Sequence, residues 1–274
     1  MSSLSTAVLM LSRWSVLFYS PVYALAIREW KPSLAGTMLI PANLGFAVGG
    51  ILVGWLHIRG SKSYYKYVPI SSLRRPLLPH PHSLFSANLP SPQPSSSLLV
   101  ISLFVLTLFT LSQMCTPDIH IIAFMAVIFA NGLCTGAALN YTLVHALHLT
   151  IATNTFIVTS LMATFRGFGA SFGSAIGGGL FNRALQTTYV ALRRAHGLPL
   201  DARLLEQLLG SPAVVETLSG IDHEIATASY VAGLSRLFLA MAFIAVGAVV
   251  LQAGTGWTAA EEEKKDDGRQ SRME

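Results

Sequence analysis

The amino-acid sequence predicts an all-α polytopic membrane protein, a bundle of six transmembrane helices. The chain has a mean hydropathy of +0.55 and only 11% charged residues, whereas a soluble domain carries about 25%. Apolar runs of about 20 residues recur along it, which is the length that crosses a bilayer. Small residues repeat every fourth position in several of these runs, as in closely packed transmembrane helices.

Each predicted span is an apolar run bounded by polar or turn-forming residues. Span one contains Arg13 and Pro21, and span three is short. The six predicted spans cover residues 7–27, 35–56, 97–113, 119–144, 151–181 and 231–253.

Basic residues near the span ends indicate that both termini are cytoplasmic, because such residues concentrate on that side of a membrane. The connection after span one holds only Arg28 and Lys31, whereas the connection after span two and the C-terminal tail are rich in basic residues. The loop 182–230 is then luminal or extracellular. The basic residues on the cytoplasmic side are Arg59, Lys62, Lys66, Arg74, Arg75, Lys264, Lys265, Arg269 and Arg272.

The chain divides into a transmembrane domain, 1–258, and a charged cytoplasmic tail, 259–274. Segment 68–96 holds seven of the thirteen prolines and no acidic residue, a composition that cannot form a packed core. It predicts a disordered cytoplasmic loop, and the alternative is intron sequence read as protein. The N-terminus lacks the pattern of a cleavable signal peptide, so span one is expected to stay in the mature chain.

The loop 182–230 is expected to hold short helices that lie along the membrane interface. Asp201 is predicted to cap one of them, and Pro212 follows Ser211 at the start of another. Asp222 is predicted to cap the start of the last span.

Several function classes are excluded by the residue pattern. The pI near 9.4 comes from scattered basic residues, so no nucleic-acid partner is expected. Two cysteines do not indicate a disulfide framework, and no enzyme motif is present. His145 and His148 lie one helical turn apart without an accompanying carboxylate or thiolate. They are interpreted as interfacial histidines, and no enzyme activity, metal or cofactor is expected.

Glycines at fourfold spacing predict tight helix crossings in three spans. One such set would be weak evidence, but three in one chain favour a bundle with several close contacts. The glycines are Gly45, Gly49, Gly50 and Gly54 in span two, Gly132 and Gly136 in span four, and Gly169, Gly173 and Gly177 in span five.

Five polar residues inside the spans are candidates for a solute pathway: Asn43, Asn131, Asn140, Tyr141 and Arg166. Each could instead hydrogen-bond between helices, and the arginine could extend to the membrane surface. No aspartate or glutamate lies inside a predicted span, so any proton carrier is expected elsewhere.

Three sequence regions resemble fungal major facilitator superfamily carriers. Residues 32–41, PSLAGTMLIP, and the glycines that follow are similar to the eighth-helix region of that superfamily. Residues 54–62, GWLHIRGSK, look like a degraded copy of its cytoplasmic loop motif, with Ile58 at the usual acidic position and one residue missing before Gly60. Residues 163–169, ATFRGFG, with the later glycines of span five, resemble its eleventh helix.

The resemblance implies the C-terminal half of a carrier, similar to vacuolar amino acid and multidrug transporters of the drug:proton antiporter type. It implies alternating-access transport between two six-helix halves, of amino acids, most of all basic ones, across the vacuolar membrane, proton-coupled in the complete carrier. The alternatives are multidrug efflux at the plasma membrane, and a non-transporting truncated fragment or membrane interaction protein. Expected partners are the lipid bilayer, a small-molecule solute, and the missing N-terminal half or a second copy.

Overall fold

The computed structural model describes residues 1–58, 96–148, 150 and 154–255, and its regular elements within these ranges are all helical. The α-helices are α1 (Ser2–Ala26), α2 (Pro32–Ala35), α3 (Leu39–Leu52), α4 (Ser96–Gln113), α5 (Ile121–His148), α6 (Thr155–Ala195), α7 (Ala202–Gly210) and α8 (Ile221–Ala253).

The second span is one helical segment with changes of pitch. Pro32 starts α2 at a first-turn position, where its missing N–H costs nothing. A 3₁₀ turn, Gly36–Met38, leads into α3, and a π-helical turn, Val53–Ile58, follows it. The structure therefore agrees with the single span predicted over 35–56.

Five of the described helical segments are long and apolar enough to cross a membrane: residues 2–26, 32–55, 96–113, 121–147 and 221–253. This result confirms the prediction of an all-α membrane helix bundle. The helix α6 contains most of predicted span five but is not among the five, because its many Gly, Ser and Thr residues lower its hydropathy.

The long helices form a closed ring of neighbours. Within it, α3 packs along α5, α5 along α4, α4 along α8, α8 along α6, and α6 along α1; α1 also contacts α8, α5 and α3. The core between them is aromatic and aliphatic, with the buried side chains Tyr23, Phe104, Phe124 and Phe238. Tyr23 and Phe124 stack with ring centroids 4.0 Å apart, which joins α1 to α5.

The predicted loop 182–230 is shorter than expected. The helix α6 continues to Ala195 and α8 begins at Ile221, so only residues 196–220 connect them. The physical reason is an apolar stripe that extends beyond the predicted span, since Leu185 and Tyr189 are fully buried.

Two of the three predicted helix starts in this connection are confirmed. The Asp201 side chain accepts a hydrogen bond from the Leu204 backbone N–H at 3.0 Å and caps α7. Pro212 begins a 3₁₀ helix, Pro212–Thr217. The prediction for Asp222 is wrong, because Gly220 is the residue at the N-cap of α8. Asp222 lies in the first turn and accepts a hydrogen bond from Arg193 at 2.6 Å.

Some predicted features lie outside the described residues. These are segment 68–96 apart from Ser96, which begins α4, most of the loop motif 54–62, and the tail 259–274. The membrane orientation stays a prediction.

Candidate functional site: a polar cavity between α3, α5 and α6

Four glycines bring the backbones of α3 and α5 into direct contact. A Cβ atom at Gly45 or Gly49 would lie 2.1 Å from the carbonyl oxygen of Phe129 or Leu133. The contact is reciprocal, because a Cβ at Gly136 would lie 2.1 Å from the Phe46 carbonyl oxygen. The same holds for Gly132, at 2.2 Å from the Ala42 carbonyl oxygen. No side chain fits at these four positions. Contacts further along α3 pair with contacts further along α5, so the two helices run in the same direction.

The helix α6 crosses α1 in a similar way. A Cβ at Gly169 would lie 2.2 Å from the Ala7 carbonyl oxygen, and one at Gly173 would lie 2.5 Å from that of Leu11. At Gly177 the nearest atom would be the Ser15 hydroxyl oxygen, at 2.9 Å. That hydroxyl donates to the Gly173 carbonyl at 2.8 Å. This crossing fixes the position of Arg166 along the axis of the bundle, because Arg166 lies one turn before Gly169.

The contact between α3 and α5 opens at Gly50. A Cβ there would meet the Asn140 side-chain nitrogen at 3.1 Å, which is a side chain and not a backbone. Gly54 has nothing within 4 Å of its Cβ position among the described residues, so it takes no part in the crossing predicted for it. The π-helical turn Val53–Ile58 begins three residues beyond Gly50.

A cavity of about 480 Å³ lies where α3 and α5 separate beside α6. Its polar side chains are those of Asn140 and Arg166, so the structure brings two of the five predicted pathway residues together. The lining residues are Phe46, Ala47, Gly50, Ile51, Gly136, Leu139, Asn140 and Arg166.

Both polar side chains are held by backbone carbonyl groups. Arg166 Nη2 donates to the Leu139 carbonyl oxygen at 3.0 Å and so joins α6 to α5. Its Nε is buried and has no hydrogen-bond partner among the described residues. Asn140 Nδ2 donates to the carbonyl oxygens of Gly136 at 3.1 Å and Gly50 at 3.4 Å.

Arg13 is a second cation near the cavity, and unlike the partly buried Arg166 it is buried. It is only 6% exposed, and its Nη2 donates to Asn43 Oδ1 at 3.0 Å. Its guanidinium carbon lies 4.0 Å from the ring centroid of Phe46, which lines the cavity. The sequence placed Arg13 inside span one, and no role was predicted for it. The position of this charge in the middle of an apolar run was the signal in the sequence, because a charged side chain inside a span needs a partner or a cavity.

The other three predicted pathway residues do not line this cavity. Asn43 accepts from Arg13 and donates to the Leu39 carbonyl oxygen at 3.0 Å. Asn131 is buried and donates to Thr107 Oγ1 at 2.9 Å, which is an interhelical bond between α5 and α4. Tyr141 follows Asn140 on α5 but is not among the lining residues.

Carboxylates are distant from the cavity throughout the described part of the chain. They lie in the connections or the first turn of α8, at the end of the bundle where α1 finishes and α8 begins. Two of them form ion pairs there, Asp222 with Arg193 at 2.6 Å and Glu29 with His223 at 2.7 Å. The acidic residues described are Glu29, Asp118, Asp201, Glu206, Glu216, Asp222 and Glu224.

The histidine pair shows no metal-site geometry in the described residues. His145 Nε2 lies 3.2 Å from Thr255 Oγ1, and the side chain of His148 lies outside the described part of the chain. A search of the described residues finds no cluster of three or more potential metal ligands.

The fold of the bundle is similar to about half of a solved transporter structure. The chain is similar to the crystal structure of a bacterial homolog of the human lysosomal transporter Spinster in an inward-facing and occupied conformation. The TM-score is 0.58 at 14% sequence identity, over 94% of this chain and 50% of the other. The chain thus spans about half the length of that transporter. No protein-family model and no curated protein matches it.

Proposed function

We propose that this chain is one half of an alternating-access carrier for small solutes, and that the cavity between α3, α5 and α6 is its share of the solute site. The observation that carries this proposal is that Arg166 and Asn140 line the same, otherwise apolar cavity. Intramembrane polar residues that face a cavity typically mark a solute pathway. The glycine crossings of α3 with α5 and of α1 with α6 fix the positions of Asn140 and Arg166 along the bundle, as a binding site requires.

Exposed apolar faces on α3 and α6 support a two-half carrier. Leu44 on α3 is 55% exposed and Phe168 on α6 is 56% exposed, and both helices border the cavity. In carriers with two repeats, the solute lies at mid-membrane between the halves. We therefore propose that a second six-helix half, or a second copy of this chain, covers these faces, and that the lipid bilayer surrounds the pair.

The finer assignment follows from the sequence resemblance. We propose basic amino acids as the solute, the vacuolar membrane as the location and proton coupling in the complete carrier. Since the predicted spans contain no carboxylate, the proton carrier belongs to the other half in this proposal. Multidrug efflux at the plasma membrane is the alternative within the same class. A non-transporting fragment or interaction protein is the alternative outside it, favoured by the half-length match.

Reconstitution of the chain into liposomes tests the transport proposal. Uptake of labelled lysine or arginine down its concentration gradient is measured, with empty liposomes as the blank. The expected result is uptake above this blank that Gly136→Val abolishes, because a side chain there meets the Phe46 backbone. Gly247→Val on α8 is the matched control, since its Cβ position has nothing within 4 Å. Uptake no higher than in empty liposomes would favour the non-transporting alternative.

A further inference from the structure

The cavity carries positive charge without a matching negative charge among the described residues. Resting on the proposed function, we infer that the cavity binds the anionic end of its solute, a carboxylate or phosphate group, through the guanidinium of Arg166. A basic side chain of the solute would then be recognised by the other half.

The hydrogen bonding of Arg166 leaves room for such a group. One nitrogen, Nη2, bonds to the Leu139 carbonyl, while Nε is buried without a partner in the described part of the chain. A buried donor left unsatisfied is costly. A planar guanidinium presents several donors in a fixed arrangement that matches the two oxygens of a carboxylate or phosphate. An anion bound here would satisfy Nε and neutralise the charge together.

The surroundings add to the preference for an anion. Phe46 lines the cavity on one side and contacts the Arg13 guanidinium, 4.0 Å from its ring centroid. Arg13 is bonded to the neutral amide of Asn43 and has no ion pair with any described residue. Two cations beside one cavity in an apolar environment create a positive potential that attracts anions.

Asn140 is suited to a second part of the same solute. Its amide nitrogen donates to the carbonyl oxygens of Gly136 and Gly50, so the remaining polar atom, Oδ1, is an acceptor. An amino acid carries a carboxylate beside an ammonium group, and a donor–acceptor pair such as Arg166 and Asn140 matches that combination. The cavity thus favours the backbone end of an amino acid over its side chain.

Equilibrium binding to the full chain in lipid nanodiscs tests this inference. Two ligand pairs differ by one carboxylate: lysine against cadaverine, and arginine against agmatine. We expect the carboxylate-bearing member of each pair to bind roughly tenfold tighter or more, as for a hydrogen bond to a charged group. Arg166→Gln is expected to remove the difference. Arg183→Gln, an exposed position on the same helix, is expected to keep it.

The inference is overturned if cadaverine and agmatine bind as tightly as their partners and phosphate also fails to bind. It is equally overturned if Arg166→Gln keeps the difference. Arg166→Lys guards against misfolding, because it retains the charge and is expected to keep part of the preference.

Inorganic phosphate, titrated alone, separates the two anion sources. Arg166-dependent phosphate binding without lysine binding would support the inference but contradict amino acids as the solute. Carboxylate-dependent binding without uptake would contradict transport alone.

Discussion

Arg166 donates from Nη2 to the backbone carbonyl oxygen of Leu139 at 3.0 Å, and this bond joins α6 to α5 beside the cavity. A carbonyl oxygen offsets only part of a guanidinium charge. The bond therefore positions the side chain and leaves the cation available to a solute. Residues that hold the bundle together can therefore be distinguished by mutation from residues that contact the solute.

Replacing Gly49 or Gly136 by alanine is expected to destabilise the bundle by about 1–3 kcal/mol, the range for overpacking. In both cases the added methyl group meets a backbone carbonyl oxygen at 2.1 Å, and a backbone cannot move aside as a side chain can. Thermal unfolding in detergent measures the effect, with Gly247→Ala as the control. Equal stability of all three variants would mean that α3 and α5 lie further apart.

Asn131→Ala and Asn140→Ala are expected to differ in kind. Asn131 bonds to Thr107 across α5 and α4, so its loss should lower stability by about 1 kcal/mol and leave lysine affinity unchanged. Asn140 lines the cavity, so its loss should weaken lysine binding several-fold. Lysine titrations and unfolding curves of both variants give the comparison. A reversed pattern would place the solute at Asn131.

Asp222→Asn is expected to destabilise the connection between α6 and α8. Arg193 is buried, with 8% of its side chain exposed, and it bonds to Asp222 at 2.6 Å, while Asp222 itself is partly exposed. Without the carboxylate a buried guanidinium loses its counter-charge, which we expect to cost about 1–3 kcal/mol after solvent screening. Glu206→Gln on α7, an exposed residue, is the matched control. Unfolding that is identical for the two variants would show that the pair adds nothing.

The predicted orientation can be tested by cysteine labelling. Both native cysteines are buried and should react slowly with a membrane-impermeant maleimide. Glu206→Cys is expected to react from the luminal side and Thr155→Cys from the cytoplasmic side, as both positions are exposed. Sealed vesicles of known orientation provide the measurement, and labelling with the sides exchanged would reverse the topology.

The sequence predicted the crossings better than it predicted the site. Glycines four residues apart share one helix face, so Gly49 and Gly136 could be assigned to contacts from spacing alone. Gly54 has the same spacing but follows the change to π-helical pitch, which spacing does not reveal. The local sequence around Asp222 predicts a helix cap. Its partner Arg193 lies 29 residues away in the chain, so the local pattern does not reveal this bond.

Among the polar residues, spacing along a single helix says little about the partner helix. Asn131 and Asn140 both lie on α5 and both were predicted as pathway candidates, yet Asn131 contacts α4 and Asn140 lines the cavity. Arg13 was missed as a neighbour of the site because its contacts are to α3. The packing of α1 against α3 brings the Arg13 guanidinium to the ring of Phe46.

Uptake of labelled lysine into proteoliposomes down its concentration gradient, compared between the native chain, Arg166→Gln and Arg183→Gln, is the most direct measurement. We expect the native chain and Arg183→Gln to take up lysine, and the rate of Arg166→Gln to be at least about tenfold lower, the effect of removing a charge-assisted hydrogen bond. Gradient-dependent uptake that survives Arg166→Gln unchanged would contradict the assignment of the cavity as the solute site.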